Sequence, residues 1–394
     1  MRRLRVIAGL VATFGLVAAS FLPGGNAPGA FAAVRDGTDF YQPPSNLPKK
    51  APGTIIRTAP LTAPSGAKAW KVLYHSRAVD GRDIAVSGVV VAPSGTAPKG
   101  GRPVVTWAHG TTGLADACAP SKSADAATGL PFVKQLVDAG YVVAATDYEG
   151  LGTPGVHPYL VGESEGRNVL DAARAARALT ATGGNDQVLV AGHSQGGQSA
   201  LFAGELAKSY APELDVLGVV AVAPAADVEH ILPLAGSING GAGYLVMGVE
   251  GFDAAYPDAD AESVLTPDAL AKANVASAAC AGAVMEAYQG VSGPAVLATD
   301  PLTIPSLQTL LHQNSAGNRP AGAPLLIVQG SADTTIPKVL TDAFVVKACA
   351  AGDTVDERVY DGATHRTVID AARDDVVAWL KDRVAGKPAP TTCS

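Results

Sequence analysis

Gln187-Val188-Leu189-Val190-Ala191-Gly192-His193-Ser194-Gln195-Gly196-Gly197 is the stretch from which the rest of the chain is read. It opens as a short apolar run, the pattern of a strand buried on both faces. From Gly196 to Tyr210 it continues into residues that suit a helix. Between the two lies G-x-S-x-G. In a chain with 44 glycines, chance alone supplies about 0.25 copies of that motif, so its context decides its value. A strand entering and a helix leaving make a strained turn that lifts a serine hydroxyl above a sheet. Side chains at Gly192 and Gly196 would collide across such a turn. The plain alternative is a structural strand–helix junction.

Working outward, strands and helices alternate. Lys68–Ser76 and Asp83–Ala92 read as two strands around the turn signal Asp80-Gly81. Pro103–Ala108, Tyr141–Thr146, Asp215–Ala223, Pro324–Gln329 and Glu357–Tyr360 read as further strands. Thr128–Ala139, Gly162–Leu179, Pro337–Ala348 and Thr367–Val384 read as helices. In the second of these, Val169, Ala173 and Ala176 mark one face and Arg167, Asp171 and Arg174 another. Such alternation implies an α/β fold with a mostly parallel sheet covered by helices on both faces. Residues 33–66 carry no long periodic pattern and read as an N-terminal arm. Residues 224–323 contain helical segments and no clear strand. An inserted helical cap, dividing the core into 67–223 and 324–394, explains them better than a structureless loop of that length.

A serine hydroxyl is a weak nucleophile at neutral pH and needs a base, itself oriented by an acid. The chain order expected with this turn is serine, acid, histidine. Three of the seven histidines follow Ser194. His230 and His312 fall in the cap, whereas His365 follows the last strand and opens the last helix. His365 is therefore the expected base. His193 lies inside the turn, and its backbone is expected to point it away. Asp333, on the loop after the strand ending at Gln329, is the expected acid, with Asp227 as runner-up. The developing oxyanion needs donors aimed at it. One is the backbone N–H of Gln195, and the other is expected from Thr111, or its neighbour Thr112, in His109-Gly110-Thr111-Thr112-Gly113. The side chain of His109 reads as a structural partner of that loop, and Asp147-Tyr148-Glu149-Gly150 as loop structure. Walker, H-E-x-x-H and C-x-x-C motifs are absent, so no metal and no cofactor are expected.

Composition fits an exported globular protein. Of 394 residues, 47% are hydrophobic and 16% charged, and the net charge is −7, which argues against nucleic acid as a partner. Arg2, Arg3 and Arg5 precede an uncharged run from Val6 to Leu22 and an A-x-A site at Ala30-Phe31-Ala32. This is the layout of a secretory signal over residues 1–32. Its removal takes away three arginines and no acid, shifting −7 to −10. No integral membrane association is expected afterwards. Export permits disulfides. Cys118, Cys280, Cys349 and Cys393 allow three pairings. Proximity in sequence favours Cys349 with Cys393, leaving Cys118 with Cys280.

With these residues in hand, the chain resembles the secretory lipase family from Phe40-Tyr41 to Cys393. The likeness is strongest at Cys118-Ala119-Pro120-Ser121, at Tyr141-Val142-Val143 through Gly150, at Ser209 to Leu214, and at the serine turn. The resemblance implies an α/β-hydrolase core with a helical lid, hydrolysis of carboxylic esters including triacylglycerols, and Ser194, Asp333 and His365 as the triad. It implies the same two disulfides. A yeast member carries an acidic residue in its oxyanion loop, where this chain has His109-Gly110-Thr111-Thr112-Gly113.

The expected function is thus a secreted lipase or carboxylesterase working through an acyl-enzyme. An acyltransferase or peptidase would use the same triad, and a non-catalytic binding protein could use the same fold. Within the cap, Ile238–Phe252 is rich in glycine and apolar residues. Tyr244 and Met247 are its expected acyl-binding residues. The expected partners are a lipid or ester substrate and, transiently, lipid interfaces.

Overall fold

The computed structural model describes residues 39–235 and 241–393. The signal-like stretch 1–32 and Ile238 lie outside the described residues. Nine strands form one sheet among the described residues: β1 Ile55–Leu61, β2 Ala67–Arg77, β3 Asp83–Pro93, β4 Arg102–Ala108, β5 Val142–Thr146, β6 Gly184–His193, β7 Asp215–Val222, β8 Leu325–Gly330 and β9 Val355–Tyr360. Their order is β1-β2-β3-β5-β4-β6-β7-β8-β9. The first three pairings are antiparallel, and every pairing from β5 across to β9 is parallel. This is the α/β-hydrolase architecture, built because Val-, Ala- and Leu-rich runs such as Val142–Thr146 and Leu325–Gly330 are buried along their whole length.

Helices cover both faces. Gly162–Ala178 and Gln195–Tyr210 pack one face through Val169, Leu170, Leu201 and Phe202. On the other face, Val133, Leu136, Val376 and Trp379 join Val105, Leu189 and Leu326. Cap helices Val228–Ala235, Ala242–Ala255 and Pro305–Gln313 share a third apolar cluster with the loop residues Tyr159–Val161.

Several elements depart from the sequence reading. The 33–66 segment contains β1, an outer strand. Only Ile55 of its seven residues is buried, so it lacks the alternation that marks a half-buried strand. The helix read over Thr128–Ala139 shrinks to Val133–Asp138, because Pro131 and the positive φ of Phe132 delay its start. The last helix is two, Thr367–Ala371 and Arg373–Val384, meeting at Ala372. Asp171 shares its helix face with Arg167 and Arg174, as read, but is not on the surface. It is buried and accepts from Ser76 Oγ at 2.6 Å and Tyr210 Oη at 2.8 Å.

The disulfides are Cys118–Cys280 and Cys349–Cys393, spanning 162 and 44 residues. The first ties the cap to the loop after β4, where Ala281 N also donates to Thr112 O at 2.8 Å.

Candidate active site

The carboxyl ends of β4 and β6 and the loop after β9 meet at one cleft of about 420 Å³ lined by Gly110, Thr111, His193, Ser194, Tyr244 and His365, among others. Ligands of open α/β sheets bind at this end of the strands. Ser194 joins β6 to the helix Gln195–Tyr210 with φ 60° and ψ −120°, a conformation that costs a non-glycine residue about 1–3 kcal/mol. The turn is locked from both sides. Ser194 N donates to Val222 O at 2.9 Å, and Ala225 N donates to Ser194 O at 3.0 Å. A Cβ on Gly192 would sit 2.0 Å from Gly196 O, and one on Gly196 would sit 2.0 Å from Ala108 O. Neither carbonyl can yield, so both positions require glycine.

His365 lies on the loop after β9. Its Nε2 is 2.9 Å from Ser194 Oγ and its Nδ1 is 2.7 Å from Asp333 Oδ2. Asp333, on the loop after β8, has no exposed side-chain surface. Its Oδ1 accepts from Thr335 N and Ile336 N at 2.8 and 2.9 Å, and Gln329 Nε2 reaches Oδ2 at 3.2 Å. Four donors therefore converge on one carboxyl. Asp227, the alternative acid, is turned elsewhere and meets the exposed His230 Nδ1 at 2.7 Å.

Gln195 opens the helix, so its backbone N–H has no acceptor within that helix. Thr111 and Thr112 both line the cleft. Thr111 Oγ1 bonds Tyr159 Oη at 2.8 Å, and Thr112 Oγ1 is buried without a hydrogen-bond partner among the described residues. The ring nitrogens of His109 meet main-chain oxygens, Gly110 O at 2.7 Å and Asp147 O at 3.2 Å. Asp147 is itself buried, accepting from Ser87 Oγ and from Ser121 N.

Three groups around the serine had no signal of function in the sequence. Glu165 is fully buried under the turn and accepts from Leu160 N and from the side chain of Gln195, both at 2.9 and 2.8 Å. Burial pushes its pKa up to about 7. His157, also buried, meets Gln195 Nε2 at 2.8 Å, and burial takes its pKa down to about 3. His193 is not pointed away, as its place in the turn suggested. It lines the cleft and reaches the main-chain oxygen of His365 at 2.8 Å.

Of the two cap residues expected at the substrate, the structure places Tyr244 on the cleft wall. Met247 is completely buried in the cap's apolar cluster. It lies one turn from Tyr244 on the helix Ala242–Ala255, yet packs among apolar side chains instead of lining the cleft. A narrower slot runs from Ser194 and Thr111 past Tyr159 to Ile231, Leu232 and Ile336. Leu232 also walls an almost wholly apolar cavity inside the cap, with Leu245, Phe252 and Leu307.

A family model described as "Secretory lipase" matches residues 119–392. The chain belongs to the secretory lipase family. It is an exported carboxylic-ester hydrolase. It is 26% identical over 383 residues to the secreted triacylglycerol lipase LIP4 of Malassezia globosa, covering 90% of this chain and 82% of that protein. Lipase A of Arthroderma benhamiae is 27% identical over 396 residues, covering 90% and 80%. Among solved structures, Candida antarctica lipase A has the same fold, with a TM-score of 0.75, 21% identity, and coverage of 90% of this chain and 87% of that one. Among the described residues, no helix is long and apolar enough to cross a membrane.

Proposed function

We propose that this lipase-family enzyme hydrolyses its esters with Ser194 as nucleophile, His365 as base and Asp333 as orienting acid. The observation that carries the reading is the continuous chain Ser194 Oγ–His365 Nε2, His365 Nδ1–Asp333 Oδ2, at 2.9 and 2.7 Å. Ser194 Oγ attacks the ester carbonyl carbon while its proton passes to His365 Nε2. The tetrahedral oxyanion takes hydrogen bonds from the backbone N–H of Gln195 and from Thr111. The imidazolium, steadied by Asp333, gives its proton to the departing alcohol, leaving acyl-Ser194. Water then attacks, losing a proton to Nε2, and the acid leaves as Ser194 recovers its hydrogen.

Triacylglycerols and simpler acyl esters are the proposed substrates, in keeping with the names of the relatives. The acyl chain enters the slot beside Leu232, and the alcohol portion faces the open cleft with Tyr244 on its wall. Transient contact with lipid surfaces follows from such substrates. The cap is residues 224–323, and residues 1–32 are a cleaved signal. The test is turnover of p-nitrophenyl esters of graded length, beside triolein, with fluorophosphonate labelling of wild type and Ser194→Ala. Labelling and turnover that vanish together in the folded variant support the assignment. Persistent turnover in Ser194→Ala refutes it.

A further inference from the structure

We propose that His193 is a positioning residue: its Nε2–H donates to the backbone carbonyl of His365 and so sets where the base sits over Ser194. The inference rests on the triad reading. The two residues differ in how they are supported. His193 is the last residue of β6, a central strand, and pairs in register with Val222 of β7. His365 sits on a loop whose neighbours Asp361, Gly362, Thr364 and Arg366 are all exposed. That loop is fastened locally, by Ala332 N to Ala363 O at 3.0 Å and by Gly362 N to Ser331 Oγ at 2.8 Å. Both of these attach it to the β8 side. The 2.8 Å bond from His193 Nε2 to His365 O joins the backbone of the base to the strand that ends at the nucleophile.

The chemistry fixes the tautomer. A carbonyl oxygen only accepts, so His193 Nε2 carries the hydrogen and Nδ1 is bare. Nδ1 faces Gly110, where even a Cβ would come within 3.3 Å of it. The two imidazoles lie 4.6 Å apart, centroid to centroid. Burial, then the neighbouring His365, hold the His193 pKa down to about 4. A neutral ring there can hold the loop without opposing the positive charge that His365 acquires in each half-reaction. A lysine or arginine would make the same hydrogen bond and oppose that charge.

The test separates the donor from the ring. His193→Phe keeps an aromatic ring and removes the N–H, whereas His193→Gln offers an amide N–H near the position of Nε2. Displacement of a catalytic group by about 1 Å can cost on the order of 100-fold in rate. The expected result for folded His193→Phe is a kcat on p-nitrophenyl butyrate lowered about 10- to 100-fold with KM within about twofold. His193→Gln is expected to recover kcat to within about fivefold of wild type. A merely structural role would lower the melting temperature of both variants and leave the kcat of the folded fraction unchanged. A folded His193→Phe with kcat within about twofold of wild type overturns the proposal, as does a folded His193→Gln whose loss exceeds about fivefold. The second criterion decides alone if the phenylalanine variant does not fold. Ser194→Ala and His365→Ala are assayed alongside. Turnover that survives in those two refutes the triad itself, whereas turnover lost in them and kept in His193→Phe refutes only the clamp.

Discussion

Replacing Asp333 by asparagine isolates the acid's contribution with little change of shape. In the native arrangement, Oδ1 is occupied by the main-chain N–H groups of Thr335 and Ile336, and Oδ2 faces His365 Nδ1. The asparagine oxygen is expected to stay on the two N–H groups, since its NH2 cannot accept from them. Its NH2 then faces Nδ1 and draws the imidazole hydrogen to Nε2. A hydrogen on Nε2 faces Ser194 Oγ, and the base can no longer take the serine's proton. A wrong tautomer of this kind costs about 10⁴ in kcat. That is about 5 kcal/mol of transition-state stabilisation. The same NH2 also meets the donor Gln329 Nε2, so a stability loss of about 2 kcal/mol is expected. The assay is steady-state hydrolysis of p-nitrophenyl butyrate at 25 °C, with KM and urea unfolding measured on the same sample. A folded Asp333→Asn whose kcat lies within tenfold of wild type would refute the reasoning, because the Nδ1 partner would then not control the tautomer.

Leu232→Trp should shift preference toward shorter acyl chains, read as the ratio of kcat/KM on laurate and butyrate esters, while Met247→Ala should cost about 2–5 kcal/mol of stability and leave that ratio alone. A changed ratio in Met247→Ala would show that the cap core shapes the substrate site directly. Glu165 holds its proton more tightly folded, with a pKa of about 7 against an ordinary 4.5, so its contribution is fully present below pH 4.5 and is lost as pH rises to about 7. The loss is about 3 kcal/mol at most, and Glu165→Gln should flatten urea-unfolding stability over that window; an unchanged slope would exclude this carboxyl as the source. Cys349→Ser with Cys393→Ser opens a 44-residue loop and should lower unfolding free energy by up to about 4 kcal/mol; an unchanged urea midpoint would mean the bridge constrains nothing in the unfolded chain.

The parallel core was legible because buried strands there are continuous apolar runs, and chain order together with placement after the last strands singled out His365 and Asp333. What escaped reading shares a cause. Edge strand β1 presents no buried face, so it leaves no period. Asp171 and Glu165 sit on a helix that is covered on more than one side, and a polar residue looks the same in sequence whether water or Ser76 receives it. His193 was misread because the direction of a turn residue depends on a loop 172 residues away. Met247 was misread because composition marks a cap as apolar without saying which apolar residues face the cleft.

The most direct test of the central claim is to mix the enzyme with excess p-nitrophenyl ester, quench in acid within the first turnover, and locate the added acyl mass by peptide mass spectrometry. The account predicts one acyl group, on the peptide carrying Ser194, formed in a burst matched by released p-nitrophenol and absent in Ser194→Ala. An acyl group on any other residue, or a burst that persists in Ser194→Ala, would contradict it.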